Sequence, residues 1–191
     1  MIGIVSQKPD DSSVALPAPV SADDWIKGSP AAKAVLVEYS DFQCPACKYF
    51  FSQVKQLESD FGDKIAFVYR YFPLEAIHKY ALLSAQAAEA AGKQGKFWEM
   101  HDLIFQNQEQ WADSGNALDN FVSYAQTLNL DVDKFKSDIN SPEITDKIKK
   151  MEQSALAADL KGTPTFFLNG NQISPQSYGE FKQLIENELN K

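Results

Sequence analysis

Two cysteines make up the whole thiol content of this 191-residue chain, and they stand three positions apart, at Cys44 and Cys47. Structural zinc asks for four thiolates or a Cys/His mixture, and the only histidines, His78 and His101, bring no second ligand at regular spacing. A framework of structural disulfides is excluded too, because one Cys-x-x-Cys closes too small a loop to restrain much chain entropy. Two readings remain: redox chemistry at the pair, or two unremarkable buried thiols.

The elements around the pair favour chemistry. Ala34-Val35-Leu36-Val37-Glu38-Tyr39-Ser40 is an apolar, β-branched run, the pattern of a strand buried on both faces. Asp41-Phe42-Gln43 turns the chain into Cys44-Pro45-Ala46-Cys47. From Lys48 to Phe61 the spacing is helical, with Phe50, Phe51, Val54 and Leu57 on one side. Gly62-Asp63 breaks it, and Ile65 to Phe72 reads as a second strand, parallel to the first through a right-handed crossover. Cys44 therefore sits where strand gives way to helix, near unpaired N–H groups and the positive end of the helix dipole. Such groups favour a thiolate and lower the thiol pKa from about 8.5. Pro45 suits the first helical turn, having no N–H to lose. Cys47, one turn deeper, is placed to resolve a mixed disulfide formed at Cys44.

Two further features have a functional and a plainer reading. Glu38 is a carboxylate inside an apolar strand, costly unless it is exposed, paired or kept neutral; a strand-end residue near solvent would look the same. Thr163-Pro164 opens the run Thr165-Phe166-Phe167-Leu168 and fits either an ordinary turn or a cis bond in a tight feature. Asn169-Gly170 between two short strand-like runs signals a hairpin.

Between these segments the pattern is helical. Ala76 to Ala91 is Ala-rich and ends at Gly92. Lys96 to Phe105, Leu118 to Leu128 and Val132 to Ile139 continue it. Ser141-Pro142-Glu143 starts another helix reaching about Leu160, and Ser177-x-x-Glu180 caps a last one running to about Leu189. His78 and His101 read as packing or surface residues rather than ligands.

A hydrophobic content of 44% is that of a packed globular chain, and a net charge of −8 argues against nucleic acid as a partner. No apolar run approaches the roughly 18 residues of a membrane helix. Met1 to Val5 is too short for a signal-peptide core, and the polar, proline-bearing stretch from 6 to about 22 reads as a linker. A linker there invites the expectation that a signal or membrane anchor precedes it in the full-length protein.

Val37-Glu-Tyr-Ser-Asp-Phe-Gln-Cys-Pro-Ala-Cys47 resembles the active-site segment of the DsbA-like thioredoxin-fold thiol–disulfide oxidoreductases, BdbD-like members included. Tyr71-Phe72-Pro73-Leu74 with His78 and Ala81, Ala87-Ala88-Glu89-Ala90-Ala91-Gly92, Gln94-Gly95-Lys96-Phe97-Trp98 and Gly162-Thr163-Pro164-Thr165-Phe166-Phe167 extend the match over roughly residues 24–188. The resemblance implies an α/β thioredoxin fold with an inserted helical domain: a leader at 1–22, the thioredoxin part at 23–74, the insertion at 75–160 and the remaining thioredoxin part at 161–191. It implies a cis bond at Thr163-Pro164 packed on the cysteines, where its backbone guides a substrate peptide. Glu38 falls where the family places a buried acid that moves a proton at the inner cysteine. The family further implies thiols of unfolded proteins as substrate, a separate, membrane-bound partner for reoxidation, no cofactor or metal, a monomer, and an extracytoplasmic location. One position departs from its strongest oxidants, which carry His where this chain has Ala46; a milder oxidant is expected. The leading reading is an oxidase that introduces disulfides, with Cys44 as nucleophile and Cys47 resolving. A disulfide isomerase or reductase that keeps the pair reduced, and a non-catalytic redox-sensing or Cu(I)-binding module, stand beside it.

Overall fold

The computed structural model describes residues 14–29 and 31–191. The apolar start Met1–Val5 and residues 6–13 of the polar leader lie outside the described residues. Five strands, β1 (Trp25–Lys27), β2 (Ala34–Ser40), β3 (Ile65–Tyr71), β4 (Thr165–Leu168) and β5 (Asn171–Ile173), form one mixed sheet in the order β1-β3-β2-β4-β5. β2 is central, parallel to β3 and antiparallel to β4, with Glu38 opposite Tyr69 on one side and Phe166 on the other.

The alternation along β2 divides the core. Leu36 packs with Phe67, Leu57, Phe181 and Ile185, so one face lies under α1 (Pro45–Phe61) and α8 (Tyr178–Leu189). Val37 and Tyr39 point the other way, to Val68, Phe167, Ala155 and Leu160, under α7 (Pro142–Ala157). A strand covered on both faces can be apolar throughout, which is why the run from Ala34 is continuous.

Between β3 and β4 the chain leaves the sheet for α2 (Ala81–Gly92), α3 (Phe97–Gln106), α4 (Gln108–Trp111), α5 (Ala117–Thr127), α6 (Val132–Ile139) and α7. This sheet with its helical insertion is the architecture the resemblance implies. Ser141 and Ser177 cap α7 and α8 by accepting from Ile144 N and Glu180 N. Asn169 and Gly170 both take positive φ, 48° and 85°, and close the β4–β5 hairpin.

Several boundaries differ from the sequence pattern. Helix α2 starts at Ala81 rather than Ala76, because the amides of Leu74 and Tyr80 are committed to the side chains of Asp41 and Gln43. Helix α7 stops at Ala157 rather than near Leu160, where Asp159 turns left-handed at φ 59°. Strand β1 and the short α4 carried no sequence signal of their own. The described part of the expected linker is docked: Ala15 bridges to Asn171, and Arg70 donates to Ala18 O and Pro19 O at 2.9 Å while pairing with Asp24.

The insertion is fastened to the sheet by a buried carboxylate. Glu89 on α2 accepts from Trp25 Nε1 (2.7 Å), Tyr71 OH (2.7 Å) and Lys147 Nζ (2.6 Å). Trp25 also stacks on Phe97 with ring centroids 4.3 Å apart. That stack requires Gly92, since a Cβ there would lie 2.3 Å from the Trp25 ring. Gly92→Ala is expected to displace the indole and cost about 1–3 kcal/mol despite the better helix propensity of alanine. Urea unfolding checks this, and unchanged stability would mean that the ring can move freely.

Candidate active site

Helix α1 begins at Pro45, so Cys44 is its N-terminal cap residue, with φ −70° and ψ 123°. The Cys44 amide donates to Asp41 O at 3.1 Å, and its carbonyl accepts from Lys48 N at 3.1 Å. As a thiol, Cys44 donates to Thr163 O at 3.4 Å. The Thr163-Pro164 bond is cis and stands at the entrance to β4. Cys47 is fully buried, Cys44 is 7% exposed, and Pro45 and Ala46 are exposed at the rim. Cys44, Cys47, Glu38, Thr163 and Pro164 thus come together from strand β2, the start of α1 and the segment entering β4.

The two sulfurs are electrostatically unlike. The Cys44 thiol is lowered to about 5, first by a hydrogen bond from the Cys47 thiol. The Thr163 side chain and the backbone N–H groups of Cys47 and Ala46 add to the effect and together outweigh burial. Cys47 is pushed well above its ordinary value by burial, by Cys44 and by the charge of Glu38. Glu38, 2% exposed, is raised to about 8, because burial outweighs the 2.7 Å hydrogen bond it accepts from Ser40 Oγ. At neutral pH the site therefore holds a thiolate at Cys44, a thiol at Cys47 and a protonated acid behind them. An acid with a pKa near the working pH can both give and take the proton of Cys47.

The nearest lysine in sequence does not serve the thiolate. Lys48 Nζ donates to the carbonyls of Phe105 and Gln106, the latter at 2.9 Å, and so caps the end of α3. His101 is ringed by Phe42, Phe51, Tyr69, Phe97, Trp98 and Phe105, and burial lowers its pKa. It packs the core, whereas His78 does not simply pack: its Nδ1 lies 2.7 Å from Asp41 Oδ2. Asp41 and Gln43, whose sequence reads as a turn, and Gln108, which lies between the expected helices, also hold the active-site loop. The usable signal was an acid three residues before the first cysteine, in a segment otherwise apolar enough to be buried.

The family model described as Thioredoxin matches residues 21–187. The chain belongs to the thioredoxin family. Its fold is shared with BdbD of Bacillus subtilis (TM-score 0.80, 23% identity, 94% of this chain and 99% of that one). Alpha-DsbA1 of Wolbachia pipientis gives a TM-score of 0.79 at 21% identity, covering 90% and 93%. ScsC of Proteus mirabilis gives 0.73 at 16%, covering 89% and 74%. The fold is therefore that of the DsbA-like proteins. In sequence, 82% of the chain is 39% identical to a protein of Salinispora arenicola named Na(+)/H(+) antiporter NhaA 1, and 87% is 34% identical to Na(+)/H(+) antiporter NhaA of Herminiimonas arsenicoxydans. The chain spans about a quarter of the length of these curated relatives, 23% and 26%.

The pKa shifts oppose one another in the pH dependence of stability of the reduced thioredoxin-family chain. Glu38 titrates at about 8 when folded against an ordinary 4.5, so its contribution falls as pH rises through that window. Cys44 titrates at about 5 against an ordinary 9.0, so its contribution grows as pH rises and is lost as pH falls through 5. Each slope is about 1.4 kcal/mol per pH unit, and between pH 5 and 8 they cancel. Glu38→Gln is expected to make stability rise with pH in that window, and Cys44→Ser to make it fall. Urea unfolding of both variants at pH 5, 6.5 and 8 reads the slopes, and parallel profiles would sink the assignment. Thr163 Oγ1 is buried with no hydrogen-bond partner among the described residues, and its hydroxyl is free to serve the Cys44 thiolate, whose pKa it lowers. Thr163→Val should accordingly raise the Cys44 pKa, read from thiolate absorbance against pH.

Proposed function

We propose that this chain is a protein disulfide oxidase acting on thiols of unfolded or partly folded extracytoplasmic proteins. The observation that carries the reading is the asymmetry of the pair: charge is stabilised on Cys44 and refused on Cys47. A stabilised thiolate favours the reduced enzyme, which makes the Cys44–Cys47 disulfide ready to be given away.

The exchange runs in two displacements. A substrate thiolate attacks Cys44 Sγ of the disulfide; the new S–S bond forms as the Cys44–Cys47 bond breaks, and Cys47 leaves with the electron pair. Glu38 supplies the proton that keeps Cys47 a thiol. A second substrate thiolate then attacks the substrate sulfur of the mixed disulfide and expels Cys44 as its stabilised thiolate. Two substrate thiolates become one disulfide, and the enzyme pair takes up two electrons. A separate disulfide-bearing partner, membrane-bound in this reading, removes those electrons and restores the enzyme.

The surroundings suit a polypeptide substrate. A cleft of about 310 Å³ beside the cis bond is lined by Tyr49, Phe50, Pro164 and Ile173, with Tyr49 58% exposed. An extended segment could lay an apolar side chain there while its cysteine meets Cys44. An oxidising compartment suits this chemistry, since disulfides given to substrates persist outside the reducing cytosol. Transport is not carried over from the antiporter relatives, of which this chain covers only a quarter.

Ala46 at the exposed rim puts no cationic side chain beside the thiolate, and the Cys44 value of about 5 lies between the extreme of about 3.5 and the thioredoxin value of about 7. The reduction potential against glutathione is therefore expected between about −120 and −270 mV, and Ala46→His should shift it upward. Cys47→Ser, with Cys44 first oxidised to a mixed disulfide with glutathione, should exchange with a reduced, unfolded protein, releasing glutathione as its thiol and keeping the protein on Cys44, while Cys44→Ser forms no such adduct. A potential at or below about −270 mV would overturn the oxidase reading in favour of a reductase.

A further inference from the structure

Every residue of the loop that delivers Cys44 is hydrogen-bonded to the helical insertion. The Asp41 carboxylate, with a side chain wholly buried, accepts from Gln43 N (2.8 Å) and Leu74 N (2.9 Å), and His78 Nδ1 lies 2.7 Å from its Oδ2. Phe42 O and Cys44 O both accept from Gln108 Nε2, at 2.7 and 3.0 Å. Gln43 accepts from Tyr80 N at 2.6 Å and donates to Ala112 O at 2.8 Å.

Asp41 is the hinge of this set. Its side chain faces the insertion while its backbone meets both cysteines: its carbonyl accepts from Cys44 N at 3.1 Å, and its N–H faces the Cys47 sulfur. A carboxylate so close to a thiolate is an electrostatic liability unless its charge is absorbed by donors. Three donors absorb it here, and the single side chain among them is His78, with Nδ1 as the donor nitrogen. The His78 backbone is itself held, because its N–H and that of Ile77 both donate to Leu74 O. The short turn before α2 is therefore shaped to present a histidine to the active-site loop.

We propose that His78, acting through Asp41, is a positioning residue for exchange at Cys44: the pair clamps loop 41–44 to the insertion and keeps the Cys44 sulfur against the N–H groups of Ala46 and Cys47. The insertion is then part of the apparatus that stabilises the thiolate, as well as a cover for the sheet. The inference rests on the exchange reading above, but its test does not need turnover.

The test is the pH profile of alkylation of Cys44 by iodoacetamide in the reduced, full chain, since buried Cys47 does not compete. His78→Ala should raise the Cys44 pKa by about one unit, the effect of about one hydrogen bond, and so lower the thiolate fraction about tenfold in the acidic range. His78→Asn places an amide N–H where Nδ1 stands and should restore the wild-type profile. Thermal unfolding is recorded alongside, because a purely structural role would lower Tm and leave the profile in place. Should His78→Ala not fold, His78→Leu, which fills the space without a donor, replaces it. A folded Ala or Leu variant with an unshifted profile overturns the proposal, and so does an Asn variant shifted as far as Ala. If the wild-type protein oxidises no substrate and yet His78→Ala moves the profile, the oxidase reading fails and the positioning role stands.

Discussion

A negative charge must be stable on one sulfur and unstable on another a single helical turn away. That requirement organises the molecule. The stabilising side comes first from the Cys47 thiol and then from the N-terminus of α1, whose backbone N–H groups are fixed dipoles. The destabilising side comes from depth: Cys47 lies under the helix, beside a carboxylic acid that burial itself keeps near 8. Both environments follow from β2 being central, because a strand covered on each face delivers its last residues to the buried end of the crossover and its next loop to the surface.

The polar groups around the pair show how a small site is held without a metal-like anchor. Ser40 holds Glu38, Asp41 holds the loop, and Gln108 gathers the carbonyls of Phe42 and Cys44. Each is nearly or fully buried and each is satisfied, the condition under which polar groups in a low-dielectric interior rigidify rather than destabilise. The cationic side chain nearest in sequence, Lys48, is tied to α3 carbonyls instead. The thiolate thus depends on oriented N–H groups and the Cys47 proton, a gentler stabilisation than a cationic neighbour would give.

Much of this was legible in the chain itself. The strand from Ala34 to Ser40 and the helix after Cys44 announce themselves through burial pattern, and Ser141 and Ser177 through capping chemistry, all of which are local. What escaped was non-local. Asp41 and Gln43 have turn composition, and nothing in their own neighbourhood says that the backbone of residues 74–80 will come to meet them. The same encounter shortened α2: Ala76 and Ile77 have ample helix propensity, yet the amides around them are taken by Asp41 and Gln43. Strand β1 was invisible for a related reason, since three residues carry no period and owe their place to Trp25 meeting Glu89 and Phe97.

Glu38 shows where stability and chemistry part company. A buried acid raised from 4.5 to about 8 lowers the stability of the folded chain at neutral pH, and a glutamine or leucine there would carry no such penalty. In the proposed exchange the same burial is what makes the carboxyl useful, because an exposed glutamate would be fully ionised at pH 7 and could not protonate Cys47. The opposed shift at Cys44 returns stability over the same pH range, through the same hydrogen-bonded cluster. The two groups therefore form one device. The favourable charge at the surface end of the cluster offsets the proton kept at its buried end, and removing the Cys44 shift would leave the cost at Glu38 uncompensated.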